Sequence, residues 1–547
     1  MKRHFLLLLL FCSPLIVFPQ ITYQDVNYSN IYDFLDELAN LGVIQLHSAL
    51  KPYYRKYIAM KLQEALLKED RLNKRQKKEL TFYLRDYNLE LKSDLTYSKE
   101  VPGFFKKKDK FGIPISPVSF LYKDSLFTFS LRPIWGIKYF ISDSGSVYHR
   151  WGGAEFSGTI GKHFGFYGSL RDNHENQLLV NPEYFTQDEG ASWKSSAKGG
   201  GDYSEMRGGI TFAWNWGSVA IVKDHFQWGD NYNGATIFSG RTPSFPYLQL
   251  HMNPVRWFDY TYIHGWLVSQ VVDSSRSWKI PTGTREYYFN KYLAASMFTF
   301  TPWTNLDLSI GNSVIYSSEY PNPAFLSPFL FFVNFTYTGN SFESVYYGNN
   351  SQLFLNISSR QIKHLHLYGS VFIDGFKWEV FTAANRHNFL SYKGGFRVSD
   401  FPFRNVSLTA EYTLTNPMTY QSAVTTLTYA SNMYNLGSFL RDNSQDIYFA
   451  IGYQPVRNLH FSITYELQEH GKDVPYEQIE DPNSVPLLKG LTWRTQSIGV
   501  SAKYEFVNNA FLFLEYINRQ TPVDEGFSPQ SLSGTTNMLN AGFNIGF

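Results

Sequence analysis

The sequence predicts a mainly β protein, a transmembrane outer-membrane β-barrel of about 18 antiparallel strands, with a small N-terminal α-helical bundle in front of it. Three observations predict it. Apolar and polar residues alternate over long stretches, aromatics make up 18% of residues although mean hydropathy is only -0.28, and the final strand ends on an aromatic. A length of 547 residues leaves open either several soluble domains or one large barrel with an appendage. Composition narrows this: 47 Phe, 39 Tyr and 39 Gly in a chain that is polar on average suit strands that meet lipid on one side only. The 49 basic and 47 acidic side chains leave a net charge of +2, which provides no field to gather nucleic acid. Nucleic acid is excluded as a partner on that ground.

Residues 1–20 read as a secretory signal peptide. Lys2 and Arg3 form a positive start, and the apolar run from Phe5 to Leu10 continues past Ser13 and Pro14 to Phe18. The run is too short for a spanning helix, and cleavage is expected near 19 to 21. Cys12, the only cysteine, lies inside it, preceded by Phe11 where a lipidated cysteine follows a small residue. The mature chain is then expected to hold no thiol or disulfide.

Residues 21–95 are expected to form a periplasmic helical bundle. Ile31, Phe34, Leu35 and Leu38 repeat with helical spacing, Asn30 can cap with Asp33 at N3, and Gly42 supplies a stop. A second helix fits about 54–68, burying Ile58, Leu62, Ala65 and Leu66. A third fits about 74–91, with Asn73 as cap and Gln76 at N3. Three short helices make a docking bundle rather than an independent core. The basic cluster from Lys68 to Lys78 is read as its solvated face.

Residues 96–547 are assigned to the barrel. After the charged link Lys106 to Lys110, the period becomes two. Phe127, Phe129, Leu131, Pro133, Trp135, Ile137, Tyr139 and Ile141 alternate with Thr128, Ser130, Arg132, Gly136 and Lys138. The same pattern recurs over 306–316, 406–414 and 459–468. Strands of an α/β sheet are apolar on both faces, so that class is excluded. No helical segment interrupts convincingly after about 113, and roughly 16 to 20 strands exceed most open sheets. Lipid offers no partner to backbone groups, so a sheet that spans must close. In the last strand Leu539, Ala541, Phe543, Ile545 and Phe547 share one face; Phe543, Ile545 and Phe547 look like a recognition signal for the barrel-assembly machinery, a partner during biogenesis, with outer-membrane lipid as the permanent partner.

Several stretches carry a family resemblance. FLDELANLGVI, ending at Ile44, precedes Lys51-Pro52. Gly153-Ala154-Glu155 comes with Gly158 and Gly161, then Phe166-Tyr167 and Leu170-Arg171-Asp172-Asn173. Lys223-Asp224 and Gln227-Trp228-Gly229-Asp230 lead into a loop with Ser239, Pro243 and Pro246. Leu367-Tyr368-Gly369 with Ile373-Asp374, and Ala410-Glu411-Tyr412-Thr413 with Asn416-Pro417 and Thr419-Tyr420, follow in order. From about residue 30 to the C-terminus the chain resembles the Wzi family of capsule-assembly outer-membrane proteins. Asp230-Asn231 stands where a second glycine would be expected, so loop conformation and ligand preference do not transfer. The resemblance implies a non-catalytic outer-membrane lectin that binds and anchors capsular or other exopolysaccharide at the cell surface. Some Bacteroidetes-type relatives in gliding bacteria are tied to motility, which makes a motility component one alternative; a porin-like transport barrel for oligosaccharides is another, and an outer-membrane enzyme acting on glycan or lipid a third.

No G-x-S-x-G, H-E-x-x-H, P-loop or Rossmann pattern occurs, and no catalytic residue, cofactor or metal ligand is assigned. Arg132, Lys138, Asp307, Glu411, Glu466 and Lys503 are expected to line the lumen. They could hold a carboxylate pair for glycoside hydrolysis, but inward polar residues are the rule in barrels. The polysaccharide site is placed at Asp224, Trp228, Asp230, Asn231, Asn233 and Arg241: the indole can stack on a sugar ring, and the polar groups can take hydroxyls or a uronic carboxylate. The competing reading is a strand turn with an interfacial aromatic. Residues 230–234 lack the ligand ladder of an EF-hand. Trp135, Trp257, Trp303 and Trp378 are read as interfacial girdles, and His364 with His366, two apart, as one lumen face.

Overall fold

The computed structural model describes residues 22–91, 103–106, 110–143, 145–195, 199–281, 283–329, 349–529 and 533–546. The expected signal peptide, its cleavage site and Phe547 lie outside them. The wall begins with β1 (Phe127–Ser142), β2 (Gly145–Ile160), β3 (Phe164–Glu175), β4 (Gly201–Trp214), β5 (Gly217–Asp224), β6 (Phe245–Val255), β7 (Phe258–Leu267), β8 (Lys291–Trp303) and β9 (Leu306–Tyr316). It continues with β10 (Asn349–Ser359), β11 (Leu365–Gly375), β12 (Phe389–Ser399), β13 (Val406–Thr415), β14 (Ser444–Val456), β15 (Leu459–His470), β16 (Trp493–Val507), β17 (Ala510–Asp524) and β18 (Thr535–Ile545). Each strand is antiparallel to the next, and β18 closes on β1, with Ile545 beside Trp135 and Met538 beside Ser142. The expected 18-stranded barrel is therefore observed. Among the described residues no helix is long and apolar enough to cross a membrane; the crossing is made by strands.

The period-two pattern explains the wall. Ile221 on β5 is 65% exposed and Leu512 on β17 is 52% exposed, while their neighbours Ala220 and Phe511 are buried. Phe461 and Ile463 face outward beside inward His460 and Ser462, as the sequence predicts. Phe543 and Ile545 lie on the outward face of β18, and Phe543 packs edge-on to Trp135 across the seam at 5.1 Å between centroids. At one end of the barrel the strands are joined by turns of two to six residues, and at the other mostly by long loops.

The helices of the head are α1 (Ser29–Asn40), α2 (Arg55–Leu66) and α3 (Lys74–Asp86). Asn73 and Gln76 form the expected capping box on α3, which ends five residues earlier than the periodicity suggests. Gly42, at φ +68°, ends α1 as expected: its N–H donates to Ala39 O and the Val43 N–H to Leu38 O, which requires the left-handed conformation that glycine adopts freely. Asn30 does not cap. The helix starts at Ser29, and the Asn30 amide is instead buried against the Glu505 carboxylate of the wall at 3.4 Å. The basic cluster also divides: Arg75 is buried, paired with Glu79 at 2.6 Å and with Glu37, rather than lying on a solvated face.

The bundle sits in the short-turn mouth. Arg75 reaches Asn405 (2.9 Å) and Gln454 (2.7 Å), Asp86 pairs with Arg132 (2.6 Å), and the Tyr28 hydroxyl donates to Glu155 (2.7 Å).

On the outside, one sector of the wall is covered by the chain itself. After β9, residues 317–329 run back along the outer faces of β7, β8 and β9. Phe325, 1% exposed, packs there on Tyr316, and its carbonyl accepts from Tyr262 at 2.5 Å. Further along, Tyr260 donates to Pro328 O, while His264 is bonded to the Tyr316 hydroxyl at 2.7 Å. Irregular backbone against a lipid-facing wall needs such partners.

Barrel closure leaves little space at the seam. A Cβ on Gly542 would stand 2.1 Å from the Ile137 carbonyl and 2.7 Å from the Phe513 ring. Gly542→Val is expected to cut the heat-modifiable folded form several-fold in gel-shift electrophoresis, because backbone cannot yield as a side chain can.

Candidate functional site

Loop 225–244, which carries most of the expected polysaccharide site, turns into the lumen. Its residues Gln227–Trp228 pair with Leu50–Lys51 of the head in a two-stranded ribbon, and the Gly229 N–H donates to Ala49 O at 2.8 Å. Trp228 is 2% exposed, with Phe238 edge-on at 5.1 Å, Phe226 at 5.8 Å and Phe354 at 6.0 Å. Its ring faces are covered, so in this arrangement the indole builds the plug and offers no platform to a sugar.

The other expected residues are equally buried, but they join separate networks. Asp224 accepts from the Tyr167 hydroxyl at 2.6 Å. Asp230 accepts from Ser48 of the head and from Asn356 of β10 at 2.8 Å, and Asn231 folds back on Gly229 O at 2.7 Å. The Asn233 amide bridges Asp446 and Glu466 at 2.8 Å each, and its N–H donates to Glu411 at 2.9 Å. Arg241 donates to Phe439 O at 3.2 Å and to Tyr184 O, and lies over the Tyr434 ring. It therefore ties loop 176–200 to loop 416–443.

The six polar wall residues do face the lumen side. Arg132 holds Asp86; Asp307 takes His47 at 3.0 Å; Glu411 pairs with Lys393 at 2.8 Å; Glu466 meets Asn233; Lys503 lies 4.0 Å over the Phe511 ring and Lys138 4.7 Å over Phe140. Glu411 and Glu466 thus hold loop 225–244. His364 and His366 do not share a face. His364 sits in the turn before β11 at φ +71°, bonded to Ser399 O, and His366 points inward to Ser358 at 2.9 Å.

The centre of the plug is a group the sequence reading missed. Arg360, in the turn after β10, donates to Asp36 of α1 (2.6 Å), Asn40 (2.9 Å) and Ser48 (2.9 Å). Tyr232 of loop 225–244 donates to the same Asp36. Burial raises the Asp36 pKa, but Arg360, His366 and Arg397 outweigh it and hold the carboxyl below the usual carboxylate range. A lone arginine between two strands carries no sequence signal; only the lumen geometry reveals its partners. Between α1, α3 and β12 to β17 a polar cavity of about 370 Å³ remains, lined by Asp33, Glu37, Arg75, Arg397, His460 and Lys503 among others.

At the long-loop end, loop 268–290 instead stands out. Trp278–Ile280 pairs with Gly283–Arg285 as a hairpin, Trp278 is 51% exposed, and the Arg285 guanidinium lies 5.6 Å over its ring. Arg276 covers Tyr287 at 5.0 Å and is fixed to Asp273 at 2.9 Å. Trp378, expected in a girdle, stands exposed in loop 376–388, while Trp257 and Trp303 lie at the short-turn end.

No protein-family model matches this chain, and no curated relative does. Among solved structures, Wzi of Escherichia coli, described as an outer membrane protein involved in group 1 capsule assembly and a carbohydrate-binding β-barrel, aligns over 97% of this chain and 100% of its own, at 12% identity and a TM-score of 0.55. The chain has a Wzi-like fold. Acinetobacter baumannii OccAB2 (10% identity, 77% of this chain, 99% of its own, TM-score 0.42) and Pseudomonas aeruginosa OccD3 (11%, 76%, 90%, 0.40) also align, but more loosely. The Wzi alignment covers nearly all of this chain, so it takes in the helical head as well as the wall. The fold fits a place in the outer membrane.

Asp36 dictates a testable pH response. Its folded pKa is depressed, so the stability it contributes is present above the usual carboxylate pKa and is lost only as pH falls through the lowered value. The contribution of Asp36 to head docking in this Wzi-like barrel should stay flat from pH 7 to 5. Arg360→Met should cost about 3–5 kcal/mol by leaving Asp36 buried without its main partner, and should move the acid loss to higher pH, read as urea midpoints of protease cleavage between α1 and α2.

Proposed function

We propose that this protein is a non-conducting surface lectin that binds capsular or other exopolysaccharide and anchors it at the outer membrane, its long loops outward and its helical head on the periplasmic side. The observation that carries this reading is a Wzi-like alignment over almost the whole chain, combined with a lumen occupied by the head and by loops 225–244 and 416–443.

The glycan contacts belong to the loop rim. Trp278 offers an apolar ring stiffened by Arg285, and Arg276 and Arg285 offer guanidinium groups for acidic sugars. The segment from Asp224 to Arg241 serves by position: Arg241 holds two neighbouring loops in register beneath the rim.

Deletion should leave polysaccharide synthesis intact while shifting it from the cell-bound to the released fraction; unchanged retention would overturn the anchoring role. Trp278→Ala and Arg285→Ala should each weaken glycan binding by about 0.5–1.5 kcal/mol, roughly two- to tenfold, with the folded barrel preserved. In planar bilayers the wild type should show no steady open-channel conductance, whereas a persistent open channel would favour transport.

A further inference from the structure

Where β15 ends at the long-loop rim, side chains from two loops and one strand end converge. Asp442 is the last but one residue of loop 416–443, His470 is the last residue of β15, and Asp473 follows in loop 471–492; one ligand atom from each lies within 4.8 Å of the other two. The His470 side chain is 0% exposed, Asp442 is buried, and Asp473 is 43% exposed, which leaves an entry from solvent.

The hydrogen bonds fix the imidazole. Thr492 Oγ1 lies 3.1 Å from Gly471 O, which can only accept, and 3.2 Å from His470 Nδ1; with its one hydroxyl hydrogen on the carbonyl, it accepts from Nδ1–H. Nε2 is then the lone-pair nitrogen. It is buried without a hydrogen-bond partner, and the Asp473 Oδ1 lies 3.3 Å from it. Phe185 at 4.7 Å and Phe527 at 5.6 Å hold the ring in place. A nitrogen lone pair facing one carboxylate, with a second beside it, is repulsive until a cation stands between them.

We propose that Asp442, His470 and Asp473 bind a divalent transition-metal cation of the zinc type. One imidazole nitrogen with two carboxylate oxygens is a donor set that such ions accept, whereas calcium takes six to eight oxygens. The 3.3 Å separation of Nε2 and Oδ1 matches the ligand-to-ligand edge, roughly 3.3–3.5 Å, of a tetrahedral site with bonds of about 2.0–2.1 Å. Outer partners orient each ligand: Thr492 on His470, the Met418 N–H (2.7 Å) and Gln421 (2.8 Å) on Asp442, and Arg441 at 3.6 Å from the other Asp473 oxygen. The ion fastens loop 416–443 to loop 471–492 and so stiffens the rim.

The test is calorimetric titration of the tag-free, chelator-stripped full chain in detergent with Zn²⁺ alone. One saturable site is expected, weakened roughly tenfold or more by His470→Gln and by Asp442→Asn, with loop 471–492 gaining protease resistance that chelation reverses. Asp473→Asn, at an exposed position, supplies the same reading if a buried variant does not fold. Absence of saturable binding, which is the result if a proton on Nε2 fills the role, overturns the proposal, as does equal affinity in the variants. The outcome is independent of polysaccharide retention, so either reading can fail alone.

Discussion

Closing 18 strands into a ring creates a lumen wider than the inward side chains can fill, and in porins of this size that space is an aqueous channel. Here it is occupied by protein, and the occupation depends on one guanidinium. Arg360 projects from a turn of the wall into the head and gathers Asp36, Asn40 and Ser48. Through Asp36 it holds Tyr232, and through Ser48 it reaches Asp230, so a single cation links wall, head and inward loop. A buried arginine pays off its desolvation only when several acceptors converge on it. The convergence requires α1, the ribbon at Leu50–Lys51 and loop 225–244 to be seated together.

This arrangement divides the long loops by task. Loops 225–244 and 416–443 fold inward, burying Trp228, Phe238, Tyr420 and Tyr429 among wall residues such as Phe354 and Phe372. Loop 268–290 is bonded to loop 416–443 at Val268 and Gln270, but its hairpin at Trp278–Arg285 projects, and arginines over its aromatics let it remain ordered while exposed. Under the proposed lectin role, contact with a large polymer would fall to this hairpin rather than to the residues that fill the lumen.

Much of the fold was legible because its causes are local. Alternation in 127–141 and 459–468 follows from one wet and one lipid face, and Asn73 with Gln76 satisfies orphan amides within a single turn of α3. Asn30 was misread because its side chain has a competing partner, Glu505, that is 475 residues away in the chain. The burial of the segment from Asp224 to Arg241 was not legible for the same reason. Trp228 and Arg241 have the chemistry of a glycan site, yet burial is decided by whether the loop points in or out, and that depends on Leu50, Phe354 and Phe439 far along the chain. Arg360 was silent because a lone charge in a turn resembles any solvated residue.

The strap over β7, β8 and β9 makes the barrel's perimeter unequal. Over most of the circumference Leu, Ile and Phe side chains face outward, but along this sector the outer surface is formed by residues 317–329, with the tyrosine hydroxyls and His264 sealed beneath. Among the described residues the outward apolar band is therefore interrupted along this sector. A cylinder with such a seam is no longer free to present every azimuth alike, and its packing among crowded neighbours in the plane of the membrane acquires a preferred bearing.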